Sequence, residues 1–444
     1  MAADVLYVSF DGVLQPLLFS QVVRVLAGLS RRGLRYHLLS VERAADLDNA
    51  ELRRAVDDML RPAGVAWTAL RREGSMATPR RAAQILARVA TEALTVTRRE
   101  GIQLVHARGY QSAIVAKALQ RLRGLPYVFD ARGYWIEERS GPGGWFSTAA
   151  SYAAGKLVEQ TLFRSAKAVV TLTSVQAADV ASGLFGPPPR WLDVIPTCAD
   201  YDAFSLRDTR PAKPVESACV PAAIRGRLAG RTVMGIVGAL NGTYFVKETL
   251  SLAKLATQMS PTTHLLILSA QQREYEAALQ AVGIPSDRAT VAYAEHSRMP
   301  DWLQWIDWGL LLVPETAANR AKMPTKLAEF FAAGVRPMFF GCNSDAARWV
   351  ERAGSGCVLR SVDEGELQRA ARAIAGSVVD VAQLRAARDV TAPHFGLSSG
   401  LDRYERLIAS CLPEKEAGSE PIRIARVREA RGSKLGANGV QRVH

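Results

Sequence analysis

What constrains this chain most is an alternation repeated along its length. Short apolar runs of four to six residues are each followed by a longer stretch of helical periodicity. Val5–Phe10 reads as a strand. In the stretch from about Leu17 to Arg32, Leu18, Val22, Val25 and Leu29 fall on one helical face, and Gly33 supplies the stop. Further strands are expected at Tyr36–Val41, Leu104–Ala107, Tyr127–Asp130, Ala168–Leu172 and Asp193–Ile195. Such alternation predicts a parallel sheet covered by helices on both faces.

Between about Phe204 and Arg231 the pattern fails, where Pro211, Pro214 and Pro221 interrupt a polar stretch. It restarts at Thr232–Val237, Leu265–Leu268, Thr290–Ala292, Gly309–Val313 and Arg336–Phe340. A chain of 444 residues is also too long for one hydrophobic core. The expected division is therefore a first α/β domain over residues 1–205, a linker over 206–231 and a second α/β domain over 232–393. A closing helical segment over 394–412 and a polar, basic tail over 413–444 follow. The tail has little apolar periodicity and reads as disordered.

The 56 lysines and arginines against 43 aspartates and glutamates give a charge of +13, which suits phosphate-bearing partners. Nucleic acid is not expected, because no recognition motif accompanies the charge. Five dispersed cysteines without a C-x-x-C pair argue against a disulfide framework or a structural zinc site, and no histidine pair has metal-ligand spacing. No metal is expected, and a reducing cytoplasm is. The amino terminus lacks a basic segment ahead of its apolar run, and nowhere do 18 apolar residues follow one another.

The most informative segment is Arg320-Ala-Lys-Met-Pro-Thr-Lys-Leu-Ala-Glu-Phe-Phe-Ala-Ala-Gly-Val-Arg-Pro337, read as loop, helix, stop and strand. Pro324 suits the first helical position and Gly334 the position after the last. A helix amino terminus offers free N–H groups and partial positive charge to phosphate. Arg320, Lys322 and Lys326 surround that end with cations. Thr325 and Glu329 share a face about 6 Å apart along the axis, at ~1.5 Å per residue. That spacing suits a diphosphate at the helix start and a ribose one turn along, its hydroxyls donating to the carboxylate. A solvated surface helix is the bland alternative.

This run resembles the donor-binding segment of retaining glycosyltransferases of family 4, whose GT-B architecture sets two Rossmann-like domains about a cleft. The resemblance implies that Glu329 binds the nucleotide ribose and that Pro324, Thr325 and their neighbours contact the diphosphate. Ser9-Phe-Asp-Gly-Val-Leu-Gln-Pro16, containing Gly12, is similar to the family's loop near the donor phosphates. Val194-Ile-Pro-Thr-Cys-Ala-Asp200 and Val237-Gly-Ala-Leu-Asn-Gly242 resemble the end of its first domain and the start of its second. Val105-His-Ala-Arg-Gly-Tyr110 and Phe129-Asp-Ala-Arg-Gly-Tyr-Trp-Ile-Glu-Glu-Arg139 resemble a subgroup that builds bacterial surface polysaccharides. The chain departs from the family twice. Ala321 stands where many members carry a glutamate, and near Gly238 the usual Gly-Arg…Lys pair is reduced to Lys247.

The expectation is an α/β, GT-B enzyme that transfers a sugar from a nucleotide diphosphate sugar, UDP- or GDP-linked, to a glycan or lipid-linked acceptor with retention and without a metal. No separate cofactor is implied. The closing helix is expected to cross back onto the first domain. His106, Asp130 and Arg132, at or just beyond strand ends, are expected at the reacting centre. For each the alternative is structural: a hydrogen-bonded histidine, an ion pair. Glu137, Glu138 and Arg139 suggest acceptor contacts or a solvated loop. Tyr134, Trp135 and Trp145 among glycines, with Arg71, Arg72, Arg80 and Arg81, suggest peripheral contact with an anionic inner membrane face; a buried loop and a solvated basic face are the alternatives. Two other functions fit the same architecture: a nucleotide-sugar 2-epimerase, and a nucleotide-sugar-binding protein without activity.

Overall fold

The computed structural model describes residues 4–74, 78–206, 219–239, 244–341 and 344–413. The tail from Glu414 and residues 207–218 of the expected linker lie outside the described residues. Both sheets belong to one compact unit that runs to Leu412.

The first sheet has seven strands: β1 (Val5–Ser9), β2 (Tyr36–Arg43), β3 (Ala66–Arg72), β4 (Leu104–Arg108), β5 (Tyr127–Ala131), β6 (Ala168–Thr171) and β7 (Trp191–Val194). Their order is β3-β2-β1-β4-β5-β6-β7, every neighbour parallel. The second sheet has six: β8 (Thr232–Val237), β9 (Thr263–Leu268), β10 (Ala289–Ala292), β11 (Trp308–Leu312), β12 (Arg336–Phe340) and β13 (Cys357–Leu359). They run β10-β9-β8-β11-β12-β13, again all parallel. The central strands are buried along their whole length, as parallel strands covered on both faces must be. The fold is therefore the α/β, GT-B arrangement of two parallel sheets.

Four local features differ from the sequence reading. The edge strands β3 and β13 were not expected; β3 is only half-buried and β13 has three residues, so neither shows a continuous apolar run. The first helix is broken into Pro16–Leu18, a π-turn at Phe19–Val23, and Arg24–Arg31. The stretch read as linker contains a helix, Ala222–Leu228. Pro324 is the N-cap, with extended ψ of 126°, so the helix proper begins at Thr325.

Helix Val381–Phe395 packs on the second half, and helix Leu397–Cys411 packs on the first. The switch is pinned by the Ala199 N–H donating to the Phe395 carbonyl at 2.9 Å and the Leu397 N–H donating to the Ala199 carbonyl at 2.8 Å. Leu401, Tyr404, Leu407 and Ile408 are buried in one cluster with Val5, Tyr7, Tyr36 and Leu104. Arg388 ties the end of the first half to the second, its guanidinium donating to the carbonyls of Tyr201, Phe204 and Ala332. These elements leave the carboxyl ends of both sheets facing one cleft.

Candidate active site

Ligands in open α/β sheets bind beyond the carboxyl ends of the strands, and a cleft of about 860 Å³ lies there. Gln15, Pro16, Arg43, Arg108, Arg132 and Thr197 line it from the first half. Gly238, Tyr244, Ser269, His296, Lys322, Pro324, Thr325, Lys326 and Glu329 are among those lining it from the second. Among the described residues, five that line it are lysine or arginine, against a single carboxylate, Glu329. The cleft is built for an anion.

On the second half, helix Thr325–Ala333 points its amino end at the cleft and stops at Gly334, whose φ of 71° is the left-handed conformation that favours glycine. No side chain caps the start of this helix, so its first N–H groups are offered to a ligand. Lys326 Nζ lies 3.4 Å from the Tyr244 hydroxyl and 5.2 Å from its ring centre. Gly238 has φ of 114°, and a Cβ there would come within 2.9 Å of Lys326 Nζ. Glycine thus gives the lysine its place in the cleft. Glu329 is 7% exposed, and burial pushes its carboxyl up to about 7 although Lys326 opposes the shift. A buried carboxyl at a cleft wall is costly to ionise unless donors meet it there.

Arg320 and Lys322 are already engaged across the cleft. Lys322 Nζ pairs with Glu138 at 3.3 Å and Arg320 with Asp179 at 3.4 Å, both carboxylates from the first half. Arg320 lines an adjoining pocket of about 380 Å³ that shares Lys322 and Pro324 with the main cleft. Between them Ala321 is fully buried in the first half's core cluster with Tyr110 and Tyr134. A glutamate side chain has no polar place there, which accounts physically for this departure from the family pattern.

On the first half, Asp130 is fully buried, 3.3 Å from Arg132 and 3.7 Å from Arg108, and accepts from the Tyr404 hydroxyl at 3.3 Å. Burial pushes its carboxyl up, but Arg132 and Arg108 outweigh that and hold it below the usual carboxylate value. Asp130 thus anchors two cleft arginines and does not itself line the cleft.

Three expected site residues stand elsewhere. His106 is 1% exposed, in the middle of β4, packed on Tyr7 at 4.6 Å and Tyr404 at 5.5 Å between ring centres. Neither ring nitrogen has a partner among the described residues, and burial pushes the imidazole down to about 4. The strand runs on two residues past it, so Arg108 takes the end position instead. Gly12 packs on the first half's interior, where a Cβ would meet Glu42 Oε2 at 2.7 Å. Lys247 is exposed at the start of helix Val246–Met259 and does not line the cleft.

The aromatic loop is packed, not exposed: Tyr134 is buried, Trp135 stacks on Tyr110 at 5.6 Å, and Trp145 lies edge-on to Trp135 at 5.8 Å. Glu137 pairs with Lys156 at 2.9 Å. Sequence reasoning missed Arg43, Arg108 and Tyr244 as cleft residues. For the two arginines a signal existed: each is the last residue of a parallel strand, β2 and β4.

Residues 20–198 match the family model of the glycosyl transferase 4-like domain. No curated protein matches the chain by sequence. Among solved structures it resembles sucrose-phosphate synthase from Thermosynechococcus elongatus, at TM-score 0.66 and 14% identity over 92% of this chain and 98% of that one. It also resembles Anabaena HepE in complex with UDP and glucose, at TM-score 0.64 and 13% identity over 92% and 100%. A third is a putative UDP-N-acetylglucosamine 2-epimerase from Listeria monocytogenes, at TM-score 0.58 and 10% identity over 92% and 96%. At such identities these likenesses speak for the fold. Residues 20–198 are therefore similar to a glycosyl transferase 4-like domain, and the fold is GT-B.

Proposed function

We propose that the protein is a retaining glycosyltransferase that takes a sugar from a UDP- or GDP-linked donor. The observation that carries this reading is the uncapped amino end of helix Thr325–Ala333, with Lys322, Lys326 and Glu329 in one cleft. The donor diphosphate sits at the helix start, where N–H groups and Lys326 neutralise the charge that grows as the glycosidic bond breaks. Glu329 accepts from the two ribose hydroxyls. The acceptor hydroxyl attacks from the face the diphosphate leaves, and its proton passes to an oxygen of that diphosphate. Charge neutralisation by lysine needs no metal. HepE is described as bound to UDP and to UDP-glucose, which favours a uridine donor here.

The acceptor is a glycan or a lipid-linked intermediate, in polysaccharide or glycolipid synthesis. Among the described residues no helix is long and apolar enough to cross a membrane. Peripheral contact with an anionic inner membrane face rests on exposed Arg80 and Arg81 at the start of helix Pro79–Glu100. Co-sedimentation with anionic vesicles at low salt tests that part. A 2-epimerase would need several carboxylates and histidines in the cleft, and among the described residues the lining supplies only Glu329 and His296.

The test is a thermal-shift screen of UDP-, GDP-, ADP- and CMP-sugars, followed by nuclear magnetic resonance of the product's anomeric centre. One nucleotide family should raise the melting temperature, and the effect should shrink in Lys326→Ala. Failure of every nucleotide to bind overturns the reading. So does an inverted anomeric centre.

A further inference from the structure

The first half's wall of the cleft carries three arginines to which the donor assigns no role. Arg43 ends β2, Arg108 ends β4 and Arg132 follows β5, so three strand ends, β2 set off from the adjacent β4 and β5 by β1, deliver guanidinium groups to one side of the cleft. Arg108 is the telling member. It is 8% exposed, and its Nε has no hydrogen-bond partner among the described residues. Its nearest carboxylate oxygens belong to Asp130 at 3.7 Å and Asp11 at 3.9 Å, both beyond hydrogen-bond length. The Tyr7 hydroxyl lies beside the guanidinium. Asp11 is exposed, at 65% for its side chain, so an entering oxyanion can displace it.

A buried guanidinium with an unmet donor costs free energy until an oxyanion meets it. Asp130 fixes Arg108 and Arg132 from behind, and Tyr404 fixes Asp130. The side chains are thus held in place before any ligand arrives. On the opposite wall the donor's diphosphate already has the helix amino end, Lys322 and Lys326.

We infer that Arg43, Arg108 and Arg132 form a second anion site in the cleft, one that takes the phosphate group of a phosphorylated acceptor. The inference rests on the donor reading of the opposite wall. Guanidinium groups fit phosphate through paired N–H donors, and two anionic groups bound on facing walls bring the acceptor hydroxyl to the sugar between them. The phosphate belongs either to a soluble sugar phosphate or to a lipid-linked one. Asp130 and Tyr404 are positioning residues for this site.

The experiment is calorimetric titration of the full chain, saturated with UDP, using three probes: inorganic phosphate, glucose 6-phosphate, and phosphatidylcholine vesicles carrying phosphatidic acid. Wild type, Arg108→Gln, Arg43→Gln and Lys326→Gln are compared after circular dichroism has confirmed folding. The expected result is phosphate-probe binding that weakens about tenfold or more in Arg108→Gln, with UDP affinity unchanged. Arg43 is exposed, so its variant folds even where Arg108→Gln does not, and it should weaken the same probes. Preference for glucose 6-phosphate assigns a soluble acceptor, and preference for vesicles that both arginine variants abolish assigns a lipid-linked one. If Arg108→Gln loses UDP affinity as Lys326→Gln does, the arginine serves the donor and the inference falls. It falls equally if no probe binds wild type, or if vesicle binding ignores the arginine changes. If UDP fails to bind but the probes still bind and depend on Arg108, the second site stands and the donor reading is what fails.

Discussion

Glu329→Gln should make the empty protein more stable and its complex with nucleotide weaker. The carboxyl is 7% exposed and burial raises it from the usual 4.5 to about 7. The folded state therefore holds a proton that the unfolded chain releases between those values, and stability falls as the pH rises through that window. A shift of this size corresponds to about 3 kcal/mol at pH 8 and less than about 1 kcal/mol at pH 5, at 1.36 kcal/mol per pH unit. Glutamine keeps the shape and removes the charge. At the entropy of unfolding typical for a chain of this length, about 3 kcal/mol is about 3 °C in Tm. The variant should melt about 3 °C above wild type at pH 8, and the gap should close toward pH 5. Saturating UDP, at about 100 times its dissociation constant, adds about 2.7 kcal/mol to wild type. The variant should gain less, because a neutral amide accepts more weakly from the ribose hydroxyls. Differential scanning calorimetry at both pH values, with and without UDP, gives all the terms. A variant that melts at or below wild type at pH 8 without ligand refutes the argument, as does a gap independent of pH.

Three further outcomes follow from geometry already described. Ala321→Glu, which restores the residue common in family 4, should cost about 3–5 kcal/mol in urea denaturation, because it buries a carboxylate in the first half's core. His106→Phe should leave stability within about 1 kcal/mol or raise it, since it replaces unpartnered buried nitrogens with ring carbon; sugar transfer should be unchanged, and its collapse would return His106 to the reacting centre. Asp130→Asn should cost about 3 kcal/mol near pH 7 by leaving Arg108 and Arg132 without their carboxylate. The folded carboxyl lies below the usual 3.8, so wild type holds this contribution above that value, and the gap between the proteins narrows as the pH falls past it.

The fold was legible because buried parallel strands read as apolar runs, and β1, β4, β5 and β11 are buried end to end. Strands β3 and β13 escaped because an edge position demands no such run. The second half's wall was legible for a related reason. Its cations, its helix start and its carboxylate lie within ten residues of one another, from Arg320 to Glu329. The first half's wall depends on partners far apart in the chain. Asp130 and Arg132 were legible from their place at a strand end, but Asp130 meets Tyr404 across 274 positions, and nothing local marks Tyr404 as its partner. The reading of His106 has a simple origin: ending β4 at Ala107 made a mid-strand histidine look like a strand-end ligand, where one further residue places Arg108 at the end.

Helix Leu397–Cys411 has a consequence for how the molecule comes into being. It packs on helix Arg24–Arg31 and on strands β5 and β7, all made long before it. On the ribosome the first sheet must therefore wait, part of one apolar face uncovered, while the whole second half is synthesised. At 5–20 residues per second that interval is on the order of ten seconds or more. Throughout it, Asp130 lacks the Tyr404 hydroxyl. The nascent first half acquires its finished arginine wall only when one of the last helices to be made docks.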